Sequence, residues 1–283
     1  MSPALRYHGA KFRLAPWILK HFPPHRTYVE PFGGAAGVLL HKPKSYAEVY
    51  NDLDGDIVNF WRVLRAPETR QLLIDACELT PFARSEFDLS WEPTSDPIER
   101  ARRTAVRAMM GFGSAGATKG STGFRIDTKR LYGTAQDTWV KYPEAIAAAG
   151  RRFEKVIIEN RPALDIISQH DGPNTLHFLD PPYVHSTRCM RSLSGYKHEM
   201  SDRDHIQLLQ ALNSLDGMVV ISGYESDLYA EHLPDWTLRT TRARISSNRG
   251  TAIRKECVWL NRACVDALDR SLGSLFTAIP NHH

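Results

Sequence analysis

Long apolar runs are missing from this chain of 283 residues. No stretch approaches the roughly 18 apolar residues of a membrane-spanning helix, so no membrane partner is expected. The opening Met1-Ser2-Pro3-Ala4-Leu5-Arg6 has no apolar core of the kind that directs export. Cysteine is scarce: Cys77, Cys189, Cys257 and Cys264 are scattered, with no C-x-x-C pair and no Cys/His cluster. That spacing excludes a familiar zinc site and leaves structural or free thiols in a reducing cytoplasm as the expectation. No internal repeat is seen. Strong charge of one sign is lacking too: 36 Lys and Arg face 32 Asp and Glu, for a net charge of +4. This mild basicity is compatible with nucleic acid and does not prove it. What is present is ordinary globular composition, 42% hydrophobic and 24% charged. It fits one large domain, or a core domain with an insert.

Against that background Asp180-Pro181-Pro182-Tyr183 is the most informative stretch. It ends a short apolar run, 174–179, that reads as a buried strand. Pro181 and Pro182 have no N–H and cannot continue a ladder or a helix interior. A stiff corner results, with acceptors at the Asp180 side chain and a proline carbonyl, beside the flat ring of Tyr183. Such a set suits a planar heterocycle bearing an amino group, whose hydrogens the acceptors take while the ring covers its face. An ordinary proline turn with a capping Asp is the competing account.

Earlier in the chain, Leu14, Trp17, Ile18 and Phe22 recur at helical spacing, and Pro23-Pro24 stops that helix. Residues 27–30 read as a strand, 31–37 as a glycine-rich turn, and 38–41 as a helix start. Strand, glycine turn and helix start together let a ligand approach the backbone at a helix N-terminus. Another strand, 46–50, leads to Asp52, which lies 19 residues after Gly33. An acid about 20 residues past such a turn commonly bonds ribose hydroxyls. Capping of the helix expected over 55–65 is the alternative role for Asp52.

Residues 66–145 differ in character and read as an insert between two halves of an α/β sheet. A helix over 68–79, an irregular aromatic-bearing piece over 80–97 and a helix over 98–110 precede a Gly/Ser-rich stretch, 111–125. Lys119, Arg125, Lys129 and Arg130, interleaved with Phe112 and Phe124, suit an element that tracks a phosphate backbone. A surface loop with solvated charges is the plainer account. The α/β pattern resumes with a strand at 155–160, a helix at 162–170 and the strand at 174–179. The polar, basic segment 184–200, which contains Arg188, reads as a lid or substrate loop. Helices over 201–212 and 224–232 flank a buried strand at 218–221. Strands at 236–241 and 256–261 are expected to form a closing antiparallel hairpin. Between and beside them lie Arg242, Arg244, Arg249 and Arg254, the sharpest basic run, either a solvated tip or a phosphate contact.

In order, then, come an N-terminal lysine element, E-P-F-x-G, an acid after the second strand, an insert and D-P-P-Y. That arrangement resembles the DNA adenine methylase (Dam) family, the alpha-ordered group of N6-adenine methyltransferases, over most of residues 4–262. The resemblance implies an α/β fold: a Rossmann-like, S-adenosylmethionine-dependent methyltransferase sheet, mixed, with a reversed last strand. It places a catalytic domain in residues 1–65 and 146–283 and a mostly helical target-recognition insert in 66–145. It implies a site-specific enzyme that flips adenine out of duplex DNA and methylates its amino nitrogen. S-adenosyl-L-methionine is then the cofactor and double-stranded DNA the partner. No metal is required, and a cytoplasmic monomer or weak dimer is expected.

Carried over by motif, Tyr7 and Lys11 lie over the methionine part of the cofactor. Arg6 falls where a base edge is touched. Glu30, Pro31, Phe32 and Gly34 form the cofactor turn, Asp52 binds ribose, and Asn160 and Arg161 stand by the cofactor's adenine. Asp180, Pro181, Pro182 and Tyr183 form the catalytic corner, with Asp180 also against the cofactor. Ala36 stands where a second glycine is frequent, Tyr7 where tryptophan is common. The insert lacks the asparagine-rich hairpin of GATC-reading members, so the resemblance assigns no recognition sequence. Related D/N-P-P-Y corners act on RNA adenine or protein glutamine. A non-catalytic DNA-binding relative with a decayed site is a further alternative, against which the intact Lys11, Asp52, Asp180 and Tyr183 argue, and a nicotinamide oxidoreductase would leave the D-P-P-Y corner unexplained.

Overall fold

A computed structural model describes residues 2–113, 122–126, 133–187, 196–247 and 250–277, with backbone only at 244–247, 250–253 and 272–277. The chain runs α1 (Ala15–Ile18), β1 (Thr27–Glu30), α2 (Gly37–His41), β2 (Ala47–Asn51) and α3 (Gly55–Arg65). Next come α4 (Pro67–Glu78), α5 (Arg84–Leu89), α6 (Pro97–Met110), α7 (Ala135–Val140) and α8 (Tyr142–Phe153). The sheet resumes with β3 (Ile157–Glu159), α9 (Ala163–Gln169), β4 (Thr175–Leu179), α10 (Asp202–Leu212), β5 (Met218–Gly223) and α11 (Asp227–His232). β6 (Thr237–Ser247), β7 (Gly250–Leu260) and α12 (Arg262–Thr277) close the chain.

Seven strands make one sheet in the order β3-β2-β1-β4-β5-β7-β6. Pairing is parallel from β3 through β5. β7, the last strand in the chain, is antiparallel to both β5 and β6. β4 and β5 are buried at every position because helices cover both faces of the sheet. One apolar cluster holds Tyr28, Phe60, Trp61, Phe153 and Phe178, with Trp61 and Phe153 stacked at 4.1 Å between ring centroids. A second holds Leu179, Leu209, Ile221 and Trp259. The order along the sheet reverses between β1 and β4, which places a ligand crevice at their carboxyl ends.

Local chemistry fixes the helix starts. The Asp96 side chain accepts from Ile98 N and Glu99 N, with Pro97 at the first turn of α6. Ser201 and Asp204 form the capping box expected for α10. Asp54, not Asp52, caps α3 by accepting from Asp56 N, which leaves Asp52 for another role. The stretch 80–97 is less irregular than its sequence suggests. α5 forms inside it around the buried ring of Phe87, which meets Trp91 and Phe124. One buried ring is too little periodicity to signal a helix. α7 and α8 were not anticipated either; a Thr134–Asp137 capping box starts α7. β6 and β7 are longer than expected, so Arg242, Arg244 and Arg254 lie within strands rather than at the tip of the hairpin.

His177 on β4 is fully buried, with Nε2 3.6 Å from Asp171 Oδ1. Burial, only partly offset by Asp171, pushes its pKa down to about 4. An unfolded chain would protonate this group near pH 6.5, so between about 6.5 and 4 the unfolded state binds more protons. Stability is therefore expected to fall as pH drops through that window, by up to about 3 kcal/mol from this group. Urea unfolding at pH 7 and pH 5 checks this; His177→Leu is expected to flatten the difference.

Candidate active site

The crevice is an open cleft. It is bounded by the N-terminal element (Tyr7, Lys11), the turn after β1, the end of β2 and the corner after β4. Residues 196–200, the described end of the predicted lid, supply another wall.

The turn is built to hold one backbone shape. Gly34 has φ +46°, and a Cβ there would stand 2.9 Å from the Tyr7 ring. Its N–H donates to Asp52 Oδ2 at 2.8 Å, and its carbonyl accepts from Tyr50 Oη at 2.7 Å and Trp61 Nε1 at 3.0 Å. Ala36 takes the left-handed region at φ 53°, a strain of roughly 1–2 kcal/mol for a residue with a Cβ. Glu30, buried, accepts from Tyr28 Oη at 2.7 Å and Leu39 N at 3.2 Å, tying β1 to α2. Burial pushes its carboxyl up to about 8. Asp52 also accepts from Asp54 N at 2.8 Å, and burial pushes it up to about 6. Asn51, missed in the sequence, donates to the carbonyls of Pro31 and Arg161, joining the turn to the segment after β3. A polar residue ending a buried strand was its only signal.

At the corner, Asp180 Oδ1 lies 2.8 Å from Lys11 Nζ and accepts from Ser222 Oγ at 2.6 Å. Lys11 also donates to Gly9 O at 2.9 Å and stands 4.7 Å from the Tyr183 ring centre. Among the described residues nothing donates to the Pro181 carbonyl. Tyr183 Oη donates to Glu256 Oε2 at 3.1 Å. Burial, with Asp180 and Glu256 nearby, pushes its phenol well above the usual range. Ser222 lies one residue past the buried strand expected at 218–221, and Glu256 opens a strand of the expected hairpin beside basic residues, where nothing local marks it as a partner of Tyr183.

Although Pro181 and Tyr183 fall outside its lining, nine of the expected residues, Tyr7, Lys11, Glu30, Pro31, Phe32, Gly34, Asp52, Asp180 and Pro182, line the cleft. Asn160 and Arg161 do not. Asn160 donates to Asp52 O at 2.7 Å, and Arg161 reaches Gln169 at 2.6 Å, so both stand beside the cleft rather than in it. Arg6 precedes the cleft-lining Tyr7 and does not itself line it. Arg125 donates its N–H to Met110 O at the base of the Gly/Ser-rich stretch. Arg242 is exposed on β6. Arg244 is placed on β6 by its backbone alone, and Lys119, Arg188 and Arg249 lie outside the described residues.

A mostly parallel sheet with a reversed last strand, opening a cleft at its carboxyl ends beside a D-P-P-Y corner, defines a Rossmann-like α/β methyltransferase. A model of the D12 class N6 adenine-specific DNA methyltransferase family matches residues 7–243, and the chain belongs to that family. It is thus a DNA methyltransferase acting on adenine, and it requires a methyl donor. No curated protein matches the chain. Among the described residues no helix is long and apolar enough to cross a membrane.

Proposed function

We propose that this chain binds S-adenosyl-L-methionine in the cleft and methylates an adenine turned out of duplex DNA. The observation that carries the reading is the corner itself: Asp180 is fixed through Oδ1 by Lys11 and Ser222. The chemistry of the cleft fits the donor. Asp52 offers a carboxylate for ribose hydroxyls, Lys11 a cation for a carboxylate, and Phe32, Val38 and Leu53 apolar surface for the remainder. When bound, the donor supplies an electrophilic sulfonium methyl.

The remaining work belongs to this chain. Adenine's amino lone pair is delocalised into the ring. Hydrogen bonds from its two hydrogens to Asp180 and the Pro181 carbonyl favour a more tetrahedral, more nucleophilic nitrogen. Tyr183 covers the base, a contact worth roughly 1–3 kcal/mol. Acceleration then comes from positioning and aligned dipoles. The inserted segment 66–145 we assign to target recognition, with the basic residues Arg6, Lys119, Arg125, Arg188, Arg242, Arg244 and Arg249 toward the DNA.

Transfer of labelled methyl from S-adenosylmethionine to mixed-sequence duplex DNA, followed by nucleoside analysis, tests the reading. Label in N6-methyladenine supports it; label appearing only in RNA or protein overturns it. Cofactor affinity, read by calorimetry, is expected to weaken as pH falls through about 6, where Asp52 gains a proton and loses acceptor strength. Asp52→Asn is expected to bind weakly at pH 8 and to lose most of that pH dependence.

A further inference from the structure

Glu256 is a carboxylate that a sheet strand has no structural reason to bury. It is 6% exposed on β7, and among the described residues no Lys or Arg pairs with it. A buried, unpaired carboxylate is costly unless hydrogen bonds satisfy it. Two phenols do so: Tyr183 Oη donates to Oε2 at 3.1 Å and Tyr224 Oη to Oε1 at 3.3 Å. These tyrosines follow neighbouring parallel strands, β4 and β5, and their rings meet edge-on at 4.6 Å and 73°. The strand register explains the meeting. The β5–β7 ladder ends at Gly223 opposite Cys257. Glu256 is the next residue out, level with the carboxyl ends of β4 and β5 where Asp180 lies.

From this we infer that Glu256 is a positioning residue for methyl transfer: its carboxylate anchors the Tyr183 and Tyr224 hydroxyls and so fixes the two-ring wall against which the adenine is placed. The inference rests on the reading of Tyr183 as the ring that covers the base. A ring tethered at Cβ alone can tilt; tethered also at its hydroxyl, it cannot. Asp180 is already fixed through Ser222 and Lys11, so a tilt of Tyr183 would misalign the base against a stationary acceptor. Errors of about 1 Å in such placement cost on the order of 100-fold in rate.

The test compares single-turnover methyl transfer, kcat and KM for duplex DNA across variants of the full chain. Glu256→Ala is expected to lower kcat about tenfold to a hundredfold, with KM for DNA and for S-adenosylmethionine within about twofold. Glu256→Gln retains an acceptor and is expected to recover most of the rate. The double variant Tyr183→Phe, Tyr224→Phe keeps both rings and removes both hydroxyls. It should reproduce the loss, and adding Glu256→Ala to it should cost nothing more. If Glu256→Ala fails to fold by circular dichroism, this double variant alone decides the matter. Wild-type kcat in the double-Phe variant, or a Glu256→Ala loss that adds fully to it, overturns the inference. Tyr183→Ala separates the two readings. Full turnover there removes the base-covering role of Tyr183 itself, whereas a dead Tyr183→Ala with a fully active double-Phe variant removes only the anchor.

Discussion

Asp180→Ala is expected to lose methyl transfer by about 100- to 1,000-fold, the scale for removing one preorganised charge-stabilising group, while DNA affinity stays within about threefold. The expectation follows from how the carboxylate is held. Ser222 and Lys11 both meet Oδ1, so the carboxylate is oriented before any substrate arrives. Such preorganisation matters in the transition state, when positive charge grows on the amino nitrogen, more than in ground-state binding. kcat should therefore fall and KM for DNA should not. Asp180→Asn keeps one acceptor and is expected to fall between the two. Single-turnover transfer and filter binding on the same duplex check this, and a variant with full turnover would sink the assignment.

A second large effect concerns stability. Arg152, at the end of α8, bonds Glu48 on β2 bidentately at 2.5 and 2.8 Å, and Lys42 Nζ lies 3.0 Å from the same carboxylate. All three residues are buried. Burial alone would push Glu48 up, yet the hydrogen bonds and charge of Arg152, then of Lys42, hold it below the usual carboxylate range. Glu48 is the carboxylate that pairs with both buried cations, so Glu48→Gln strands Arg152 and Lys42 and is expected to cost about 3–5 kcal/mol. Urea unfolding would show this as a shifted midpoint with little change in slope. Arg152→Met leaves the Lys42–Glu48 pair in place and is expected to be milder than Glu48→Gln. Glu48→Gln within about 1 kcal/mol of wild type, the value of an exposed pair, would contradict the buried-pair account. The damage should also reach the cofactor, because β2 leads directly to Asp52.

What the sequence reveals here depends on the range of the interaction. The strand, glycine turn and helix start of 27–41, the acid at 52 and the D-P-P-Y corner are local patterns, each written in a short consecutive stretch or at a fixed spacing. Each contributes residues to the cleft's lining, the D-P-P-Y corner through Asp180 and Pro182. Ser222, Glu256 and the Arg152–Glu48 pair could not be read this way. Ser222 and Glu256 acquire meaning only once β5 and β7 have found their register, and Arg152 is 104 residues from its partner. α5 was hidden for another reason: its start at Ala83 has no side-chain cap, and Phe87 is its only buried residue.

β5 stops opposite Cys257, yet β6 and β7 remain paired out to Ser247 and Gly250. The pairs from Thr241–Glu256 to Ser247–Gly250 overhang the sheet, a ribbon roughly 20 Å long. Mechanically this is a cantilever, clamped at its root where the ladder with β5 ends. Load on the far end of such a ribbon bends it most at the clamp, and Glu256 stands there. A duplex pressing on the overhang would thus be felt in the Tyr183–Tyr224 wall without touching either ring. Seating the helix and squaring the base would be one movement of one lever.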